Sequence, residues 1–321
     1  MFEKIIPELI SHARRPEENG RLILPDGKEV AFDQKKFSPI TLKPSGDKVL
    51  FVDGGNAPVF ESPAARVEFV RLYGAAYEGV KRTAMHREEG FVLIRNVTKD
   101  GKDYVEAKGH GIELSLMIPD DDRELRLGRE RVSLVTVAGL VRFILECRSA
   151  RRWGVGCALI VRDGTLLPNN EYEDEALKEL LRSGVVAGFS KTNTLTTTTG
   201  HSVSATLLEH GLKEPWIYNL GTEKEVSFSI VRLHGRAEHA FRLDTNGDAA
   251  ATATSLAGVA SDPVFPGYPY PLIEADRMAR VPNREVELLR TRFMVEAGPR
   301  WKELQRLARG SDAHSILDRI S

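Results

Sequence analysis

Two apolar runs in this chain each lead into the dipeptide Asp-Gly. Residues 49–52 precede Asp53, and residues 158–161 lead through Arg162 into Asp163. Short runs rich in Val, Ile and Leu are typical of buried strands. Because a buried strand holds the residue at its end rigidly, we expect two carboxylates to be presented together by a sheet. Hard cations such as magnesium and manganese require oxygen ligands held in this way.

Two further elements extend this pattern. Apolar residues at helical spacing predict a long helix over residues 129–152, which carries Glu146. A third apolar run, residues 185–189, leads into Ser190 and Lys191. The order Asp, Glu, Asp, Lys supplies carboxylates for cations and an ammonium for a phosphate. It therefore indicates a phosphodiester site that uses divalent metal ions.

The pattern predicts a two-ion site. In such a site two cations roughly 4 Å apart activate the attacking water and stabilise the leaving oxygen. Asp53 would bridge both ions, and Glu146 and Asp163 would be the other ligands. Gly54 and Gly55, which follow Asp53, would keep the backbone low enough for a phosphate to approach.

Each of these residues also has a structural interpretation. Asp-Gly after a strand is a common turn, so either aspartate alone is explained as a turn former. Glu146 lies four residues after Arg142, and a salt bridge between them explains it equally well. Glu130, on the same predicted helix, is an alternative ligand, and a single lysine such as Lys191 is most often solvated. The joint arrangement favours the metal site, because turn chemistry does not predict two apolar strands that both lead into Asp.

Three arginines follow Glu146 on the same predicted helix: Arg148, Arg151 and Arg152. With Lys191, they are candidates for contacts to a nucleic-acid backbone, which give binding without sequence specificity. The alternative is an exposed basic helix end favoured by the helix dipole. With 45 basic against 46 acidic residues, the net charge is −1. That balance argues against binding through bulk positive charge, and leaves a local basic groove or the inner surface of an oligomer as the binding surface.

The rest of the chain predicts one mixed α/β domain over residues 1–321, with its core at about 45–280. Turn signals indicate hairpins within 21–32 and 90–107, and residues 192–204 have the polar, β-branched composition of a mobile surface loop. Peripheral helices are expected in the N-terminal segment 1–15 and the C-terminal segment 281–321. Further predicted elements are helices near 174–182, 248–258, 272–280 and 284–309, strands at 226–233 and 240–243, and a strand or helix within 59–82.

Composition also bounds the cellular setting. Cys147 and Cys157 are too few for a disulfide framework or a zinc cluster, which fits a reducing compartment, and we expect a cytoplasmic protein. The N-terminal residues 1–10 carry charges within their apolar stretch and do not form a signal peptide. No apolar run approaches the roughly 18 residues needed to span a membrane, so no membrane association is expected.

The ordered set of these segments resembles the NurA family of archaeal and bacterial DNA-repair nucleases. The resemblance implies an RNase H-like α/β fold, in which a mixed sheet is flanked by helices and acidic residues lie on central strands and an adjoining helix. The segments that carry it are residues 51–56, Glu146 in its helix, 160–166, 188–192 and 267–276.

The resemblance also implies an activity. Members of the family are manganese-dependent nucleases that act on single-stranded DNA and on DNA ends in the resection of double-strand breaks. For this chain the resemblance implies manganese, with magnesium as the alternative. They form ring-like homodimers that dock onto a HerA-type hexameric helicase-translocase. By this resemblance Asp53, Glu146 and Asp163 would be metal ligands, and Lys191 would contact a phosphate or a water. A ring would reconcile near-neutral charge with DNA binding, because only its channel must be positive.

The last segment departs from the family pattern. Family members often have a histidine where this chain has Asp276, which makes Asp276 a further candidate metal ligand. The same departure motivates a second hypothesis, a non-catalytic RNase H-like subunit that regulates a partner ATPase. A phosphotransferase on this fold is disfavoured, because the chain has no glycine-rich phosphate cradle. Tyr268 and Tyr270 would either stack on a base or act as packing anchors.

Overall fold

The computed structural model describes residues 2–13, 20–24, 27–42, 46–126, 128 and 130–308. The strands are β1 (Arg21–Ile23), β2 (Glu29–Ala31), β3 (Phe37–Pro39), β4 (Lys48–Glu61), β5 (Ala65–Glu78), β6 (Lys81–Lys99), β7 (Lys102–His110), β8 (Ser115–Pro119), β9 (Leu159–Asp163), β10 (Val186–Ser190), β11 (Trp216–Glu223), β12 (Val226–Arg232) and β13 (Phe241–Thr245). The α-helices are α1 (Phe2–Ala13), α2 (Leu134–Trp153), α3 (Glu171–Leu181), α4 (Val203–His210), α5 (Ala249–Ala257), α6 (Tyr270–Ala279), α7 (Asn283–Ala297) and α8 (Trp301–Ala308).

An eleven-stranded sheet forms the centre of the fold, in the order β3-β11-β12-β13-β10-β9-β4-β5-β6-β7-β8. The long strands β4, β5 and β6 pair antiparallel. The short strands β9 and β10 extend the sheet parallel to β4, and α3 links them as a crossover connection. Three antiparallel strands extended by two strands parallel to the first give the RNase H-like mixed sheet that the family resemblance implies.

The central strands β4, β9 and β10 are covered on both faces of the sheet. Since side chains alternate along a strand, neighbouring residues of one strand belong to different layers. The first layer contains Phe51, Val161 and Phe189 and packs against α5 and α6. The second contains Val52 and Ile160 and packs against α2, α3 and α4. By the same alternation the side chain of Asp53 faces the α6 layer with that of Asp163, whereas Arg162 faces the α2 layer.

Strand β4 is longer than predicted and does not end at Asp53. It pairs with β5 through Asp53↔Tyr73 and on to Glu61↔Arg66. Pairing with β9 on the other side stops at Val52↔Arg162. The antiparallel partner therefore holds the strand in extended conformation past the glycines, and Asp53 marks the level at which β9 ends.

Helix α2 begins later than predicted. Ser133 is its N-cap, with its hydroxyl accepting a hydrogen bond from the Thr136 amide at 3.0 Å. Glu130 is therefore not on the helix; it is exposed and precedes the first turn. The prediction that Glu130 lies on the same helix as Glu146 is wrong, and its role as an alternative ligand stays a prediction.

Several local predictions are confirmed. The tight turn between β6 and β7 has left-handed backbone at Asp100 (φ 52°) and Gly101 (φ 74°), and β1 and β2 form the N-terminal hairpin, of which Pro25 and Asp26 lie outside the described residues. The uncertain segment 59–82 belongs to strands, mainly β5.

Other local predictions are wrong. Residues 192–204 are not simply a surface loop, because Thr197 is buried and the segment pairs with β1, the amide of Ile23 donating to the carbonyl of Thr196 at 3.1 Å. The single helix predicted over 284–309 is interrupted at Gly298 and divided into α7 and α8. Among the described residues, no helix combines the length and the apolarity that a membrane crossing requires.

Candidate metal centre

Three carboxylates converge on the α6 side of the sheet. They belong to Asp53 in β4, Asp163 at the end of β9 and Asp276 in α6, and one oxygen of each lies within 4.8 Å of the others. Strands β4 and β9 are parallel neighbours paired up to Val52↔Arg162. The next residue of each strand therefore points into the same layer, where α6 adds the third carboxylate.

Asp53 is the most buried of the three, with 8% of its surface exposed. Burial, together with the charges of Glu146 and Asp163, raises the pKa of Asp53 to about 8. The amide of Gly54, which donates to Asp53 Oδ1 at 2.7 Å, and the ammonium of Lys191 oppose this shift. A buried carboxyl among other carboxylates is stabilised in its charged form by a cation, which is the electrostatic setting of a metal site.

Lys191 follows β10 directly and joins the cluster. Its Nζ lies 2.7 Å from Asp163 Oδ2 and 2.7 Å from Asp276 Oδ1, and 5.8 Å from the centre of the Tyr268 ring. Burial opposes its charge, but the hydrogen bonds to the two carboxylates outweigh burial and raise the pKa of Lys191. The lysine predicted from sequence thus lies at the carboxylates.

The donor set fits a hard divalent cation. The three carboxylates are close enough to share one ion, and the Lys191 ammonium shows that the space between Asp163 and Asp276 accommodates positive charge. Oxygen ligands of this kind suit magnesium and manganese. Asp53, Asp163 and Asp276 are therefore the residues that could hold a metal.

Glu146 lies in the other layer. It is fully buried in α2, where Oε1 accepts a hydrogen bond from Arg162 Nε at 3.0 Å and Oε2 lies 3.4 Å from Arg142 Nη1. The salt bridge to Arg142 that the sequence offered as an alternative is present. Glu146 is close enough to raise the pKa of Asp53, but it is not among the three converging carboxylates. Its role as a metal ligand stays a prediction.

Arg162 is a buried residue that the sequence reasoning did not single out. Its guanidinium pairs with Glu146, donates to the carbonyl of Thr165 at 2.7 Å and lies 4.4 Å from the centre of the Phe143 ring. A charged residue inside an otherwise apolar strand was the available signal, because such a residue needs a buried partner.

The two glycines after Asp53, Gly54 and Gly55, allow two helices to pack closely against β4. A Cβ at Gly54 would lie 3.2 Å from Glu146 Oε2 on the α2 side, and a Cβ at Gly55 would lie 2.2 Å from the carbonyl oxygen of Ala279 in α6. The expectation that they leave room for a phosphate is wrong, since protein atoms occupy the space on both sides. They allow the helices that carry Glu146 and Asp276 to approach β4.

Helix α6 is attached to the sheet by contacts within the helix and directly after its C-terminal end. Within it, Glu274 accepts hydrogen bonds from the hydroxyls of Tyr73, at 2.5 Å, and Tyr77, and pairs with Arg82. After it, Arg71 donates to the carbonyl of Arg280 at 3.1 Å. These contacts attach α6 to β5 and β6 and so position Asp276.

The predicted nucleic-acid arginines lie outside the cluster. Arg151 pairs with Glu179 of α3 at 2.8 Å, and Arg152 pairs with Glu88 of β6, two strands away from β4. Arg148 is exposed. Of the four residues predicted to contact nucleic acid, the structure brings only Lys191 to the carboxylates, and the role of the arginines stays a prediction.

The mixed sheet and the carboxylates that converge on it place this chain among the RNase H-like α/β proteins. Residues 47–281 match the family model described as the NurA domain, and the chain therefore belongs to the NurA family. The resemblance inferred from sequence is confirmed. No curated protein matches the chain significantly.

Solved structures agree with this fold. The NurA nuclease from Sulfolobus solfataricus is similar over 92% of this chain and 93% of that chain, with 13% identity and a TM-score of 0.55. A structure of NurA with manganese is similar over 89% of this chain and 96% of that chain, with 10% identity and a TM-score of 0.52. At these identities the likeness is one of fold.

Proposed function

We propose that this protein is a metal-dependent nuclease that hydrolyses phosphodiester bonds in DNA. The observation that carries the proposal is the convergence of Asp53, Asp163 and Asp276 beside Lys191. Membership of the NurA family supports it, as do the similar structures, one of a NurA nuclease and one of NurA with manganese.

The carboxylates of the site would be the metal ligands. Asp53, Asp163 and Asp276 hold the metal, and bound divalent ions supply an activated water and stabilise the charge of the leaving oxygen. Glu146 is the proposed ligand for a second ion, which requires it to give up Arg162. Burial raises the pKa of Asp53 to about 8, so a bound cation would hold this carboxylate in its charged form.

Lys191 is the proposed phosphate contact. Its side chain is 39% exposed and lies between Asp163 and Asp276. When the charge of these carboxylates is satisfied by metal, the ammonium is free to bind a phosphate oxygen as a compact positive charge. It would orient the scissile group against the cluster.

The finer activity follows the family. We propose manganese as the physiological metal, with magnesium as the alternative, and single-stranded DNA and DNA ends as substrates. A HerA-type hexameric helicase-translocase is the proposed partner in end resection, and the protein would act in the cytoplasm. A homodimer is proposed on the same family resemblance, and the interior of a ring would reconcile a net charge of −1 with DNA binding.

Cleavage of end-labelled DNA tests the proposal. Single-stranded and double-stranded substrates are incubated with the protein in manganese, in magnesium and in EDTA. Asp53→Asn and Asp163→Asn remove one ligand charge each, and Asp121→Asn is the matched control, an exposed aspartate near β8 at the far edge of the sheet. We expect metal-dependent cleavage that drops at least 100-fold in the two site variants and is unchanged in the control.

Two results would contradict the proposal. Retained cleavage in either site variant, with contaminating nuclease excluded, removes the assigned centre. An inactive wild-type protein in both metals, with and without a HerA-type partner, favours the non-catalytic subunit that the sequence offered as the second hypothesis.

A further inference from the structure

A cavity of about 670 Å³ opens beside the carboxylate cluster. It shares three wall residues with that cluster and its surroundings: Lys191, Tyr268 and Asp276. Its volume lies within the roughly 300–1,000 Å³ of small-molecule sites. A group bound here would therefore be a direct neighbour of a phosphate held at Lys191.

One wall of the cavity is aromatic. The ring of Phe265 lies 6.0 Å from that of His239, close to parallel, and 6.2 Å and 6.0 Å from those of Phe241 and Tyr268. Tyr268 is buried and packs against this group, as one sequence alternative expected. Phe265 and Tyr270 differ from Tyr268 in exposure: they line the cavity, and 40% and 47% of their surfaces are exposed.

Other residues that line the cavity are polar. Asn193 and Ser204 are two of them, joined by a hydrogen bond of 2.8 Å from Asn193 Nδ2 to Ser204 Oγ. Asp262 adds a carboxylate that caps its own loop by accepting from the amide of Val264 at 2.8 Å. These groups offer donors and acceptors to the edge of a flat polar ring, and the carboxylate disfavours a second phosphate in the same space.

We propose that this cavity binds an unpaired nucleobase of the DNA strand next to the scissile phosphate, with Phe265 and Tyr270 as stacking surfaces. The inference rests on the proposed nuclease function and adds a subsite to it. Stacking on aromatic rings suits any base, because every base has a π-face. A base in a duplex is paired and stacked on both sides, so the cavity selects single strands and frayed ends.

Binding in the absence of metal tests the subsite without cleavage. Single-stranded DNA that contains 2-aminopurine is titrated with protein in EDTA, and fluorescence quenching reports stacking of the base. We expect quenching by the wild type, a Kd about 5- to 100-fold weaker with Phe265→Ala or Tyr270→Ala, and near wild-type binding with Phe265→Tyr. The control is Phe91→Ala, which removes an aromatic ring of similar exposure (37%) that packs on Phe69 in β5.

Two variants guard against misfolding, since Phe265 packs on Tyr268 while Tyr270 is more exposed. Unchanged quenching and Kd in both Phe265→Ala and Tyr270→Ala would overturn the subsite. So would equal losses in the Phe91→Ala control.

A cleavage series separates this inference from the nuclease proposal. Oligonucleotides with one abasic position, moved stepwise along the strand, should show one register at which the wild type slows about tenfold and Phe265→Ala slows no further. Cleavage that is insensitive to every abasic position overturns the subsite alone. Quenching without any metal-dependent cleavage supports the subsite and overturns the nuclease.

Discussion

Lys191 Nζ lies 2.7 Å from Asp276 Oδ1, although 85 residues separate them in the chain. The contact joins the end of β10 to α6 and brings Asp276 to the aspartates of β4 and β9. The candidate site is therefore complete only when α6 is docked on the sheet. The geometry of the site therefore depends on the docking of α6 as well as on the carboxylates themselves.

A methyl group at Gly55 should undock α6. The Cβ of Gly55→Ala would lie 2.2 Å from the carbonyl oxygen of Ala279, and overpacking of this kind costs about 1–3 kcal/mol. We expect the variant to unfold at lower urea concentration and to lose manganese-dependent cleavage, because Asp276 moves with the helix. Gly139→Ala is the control: apart from the local backbone of α2 and the adjacent residues, no atom of the described residues lies within 4 Å of the new methyl, so the stability of this variant should rise by up to about 1 kcal/mol. Equal stability of Gly55→Ala and wild type would contradict this role for Gly55.

Removing one member of the buried pair of Arg162 and Glu146 should lower the free energy of unfolding more than replacing both members does. Among the described residues, Arg162→Met leaves the fully buried Glu146 with the 3.4 Å contact to Arg142 as its one remaining ion pair, and such losses cost about 3–5 kcal/mol. Replacing both residues, as Arg162→Met with Glu146→Leu, should restore much of that stability. Urea denaturation of both single variants and the double variant measures the coupling. Additive losses would show that the two side chains do not act as a pair.

Arg151 and Arg152 should contribute little to DNA binding, because each faces a carboxylate, Glu179 and Glu88 respectively. The slope of log Kd against log salt for single-stranded DNA falls by about 0.7 per lost phosphate contact. We expect Arg151→Gln with Arg152→Gln to leave this slope nearly unchanged, and Arg148→Gln to lower it by about 0.7. A large decrease in the double variant would instead support the role predicted from the sequence.

Acid should weaken the contact between α7 and the sheet. Glu89 pairs with Arg71, which also pairs with Glu285 of α7. Burial raises the pKa of Glu89, but hydrogen bonds from Arg87 and Arg71 outweigh burial and lower it below its ordinary 4.5. The stabilisation is therefore present above about pH 4.5 and is lost as the pH falls through the lowered folded-state pKa. Urea denaturation at about pH 7 and about pH 3 should show a smaller acid-induced loss of stability in Glu89→Gln than in wild type; equal losses would contradict the prediction.

The sequence predicts the elements that local signals determine. Residues 159–161 of β9 and 186–189 of β10 are apolar runs, and the Asp100-Gly101 turn carries its own backbone signal, so the positions of these elements follow from short segments. The length of β4 does not, because pairing with β5 extends it past Gly54 and Gly55. The start of α2 depends on one capping residue, Ser133, rather than on the apolar period.

The candidate site was predictable only in part, for a geometric reason. Asp53 and Asp163 meet because they lie at the same level of two strands, β4 and β9, that are parallel neighbours. Glu146 was expected beside them, but alternation along β4 separates the two layers, and its carboxylate lies with Arg162. Spacing along a chain does not encode which face of a sheet a helix covers. The approach of Asp276 likewise depends on long-range docking of α6.

The most direct test of the account is manganese binding measured by isothermal titration calorimetry. The wild-type protein is compared with Asp276→Asn and with the Asp121→Asn control, with circular dichroism confirming the fold of each. We expect Asp276→Asn to weaken manganese binding at least tenfold and the control to bind as wild type, because Asp276 is one of three carboxylates that share the proposed ion. Manganese binding that is absent from the wild type, or equally tight in all three proteins, would contradict the assignment of this cluster as a metal centre.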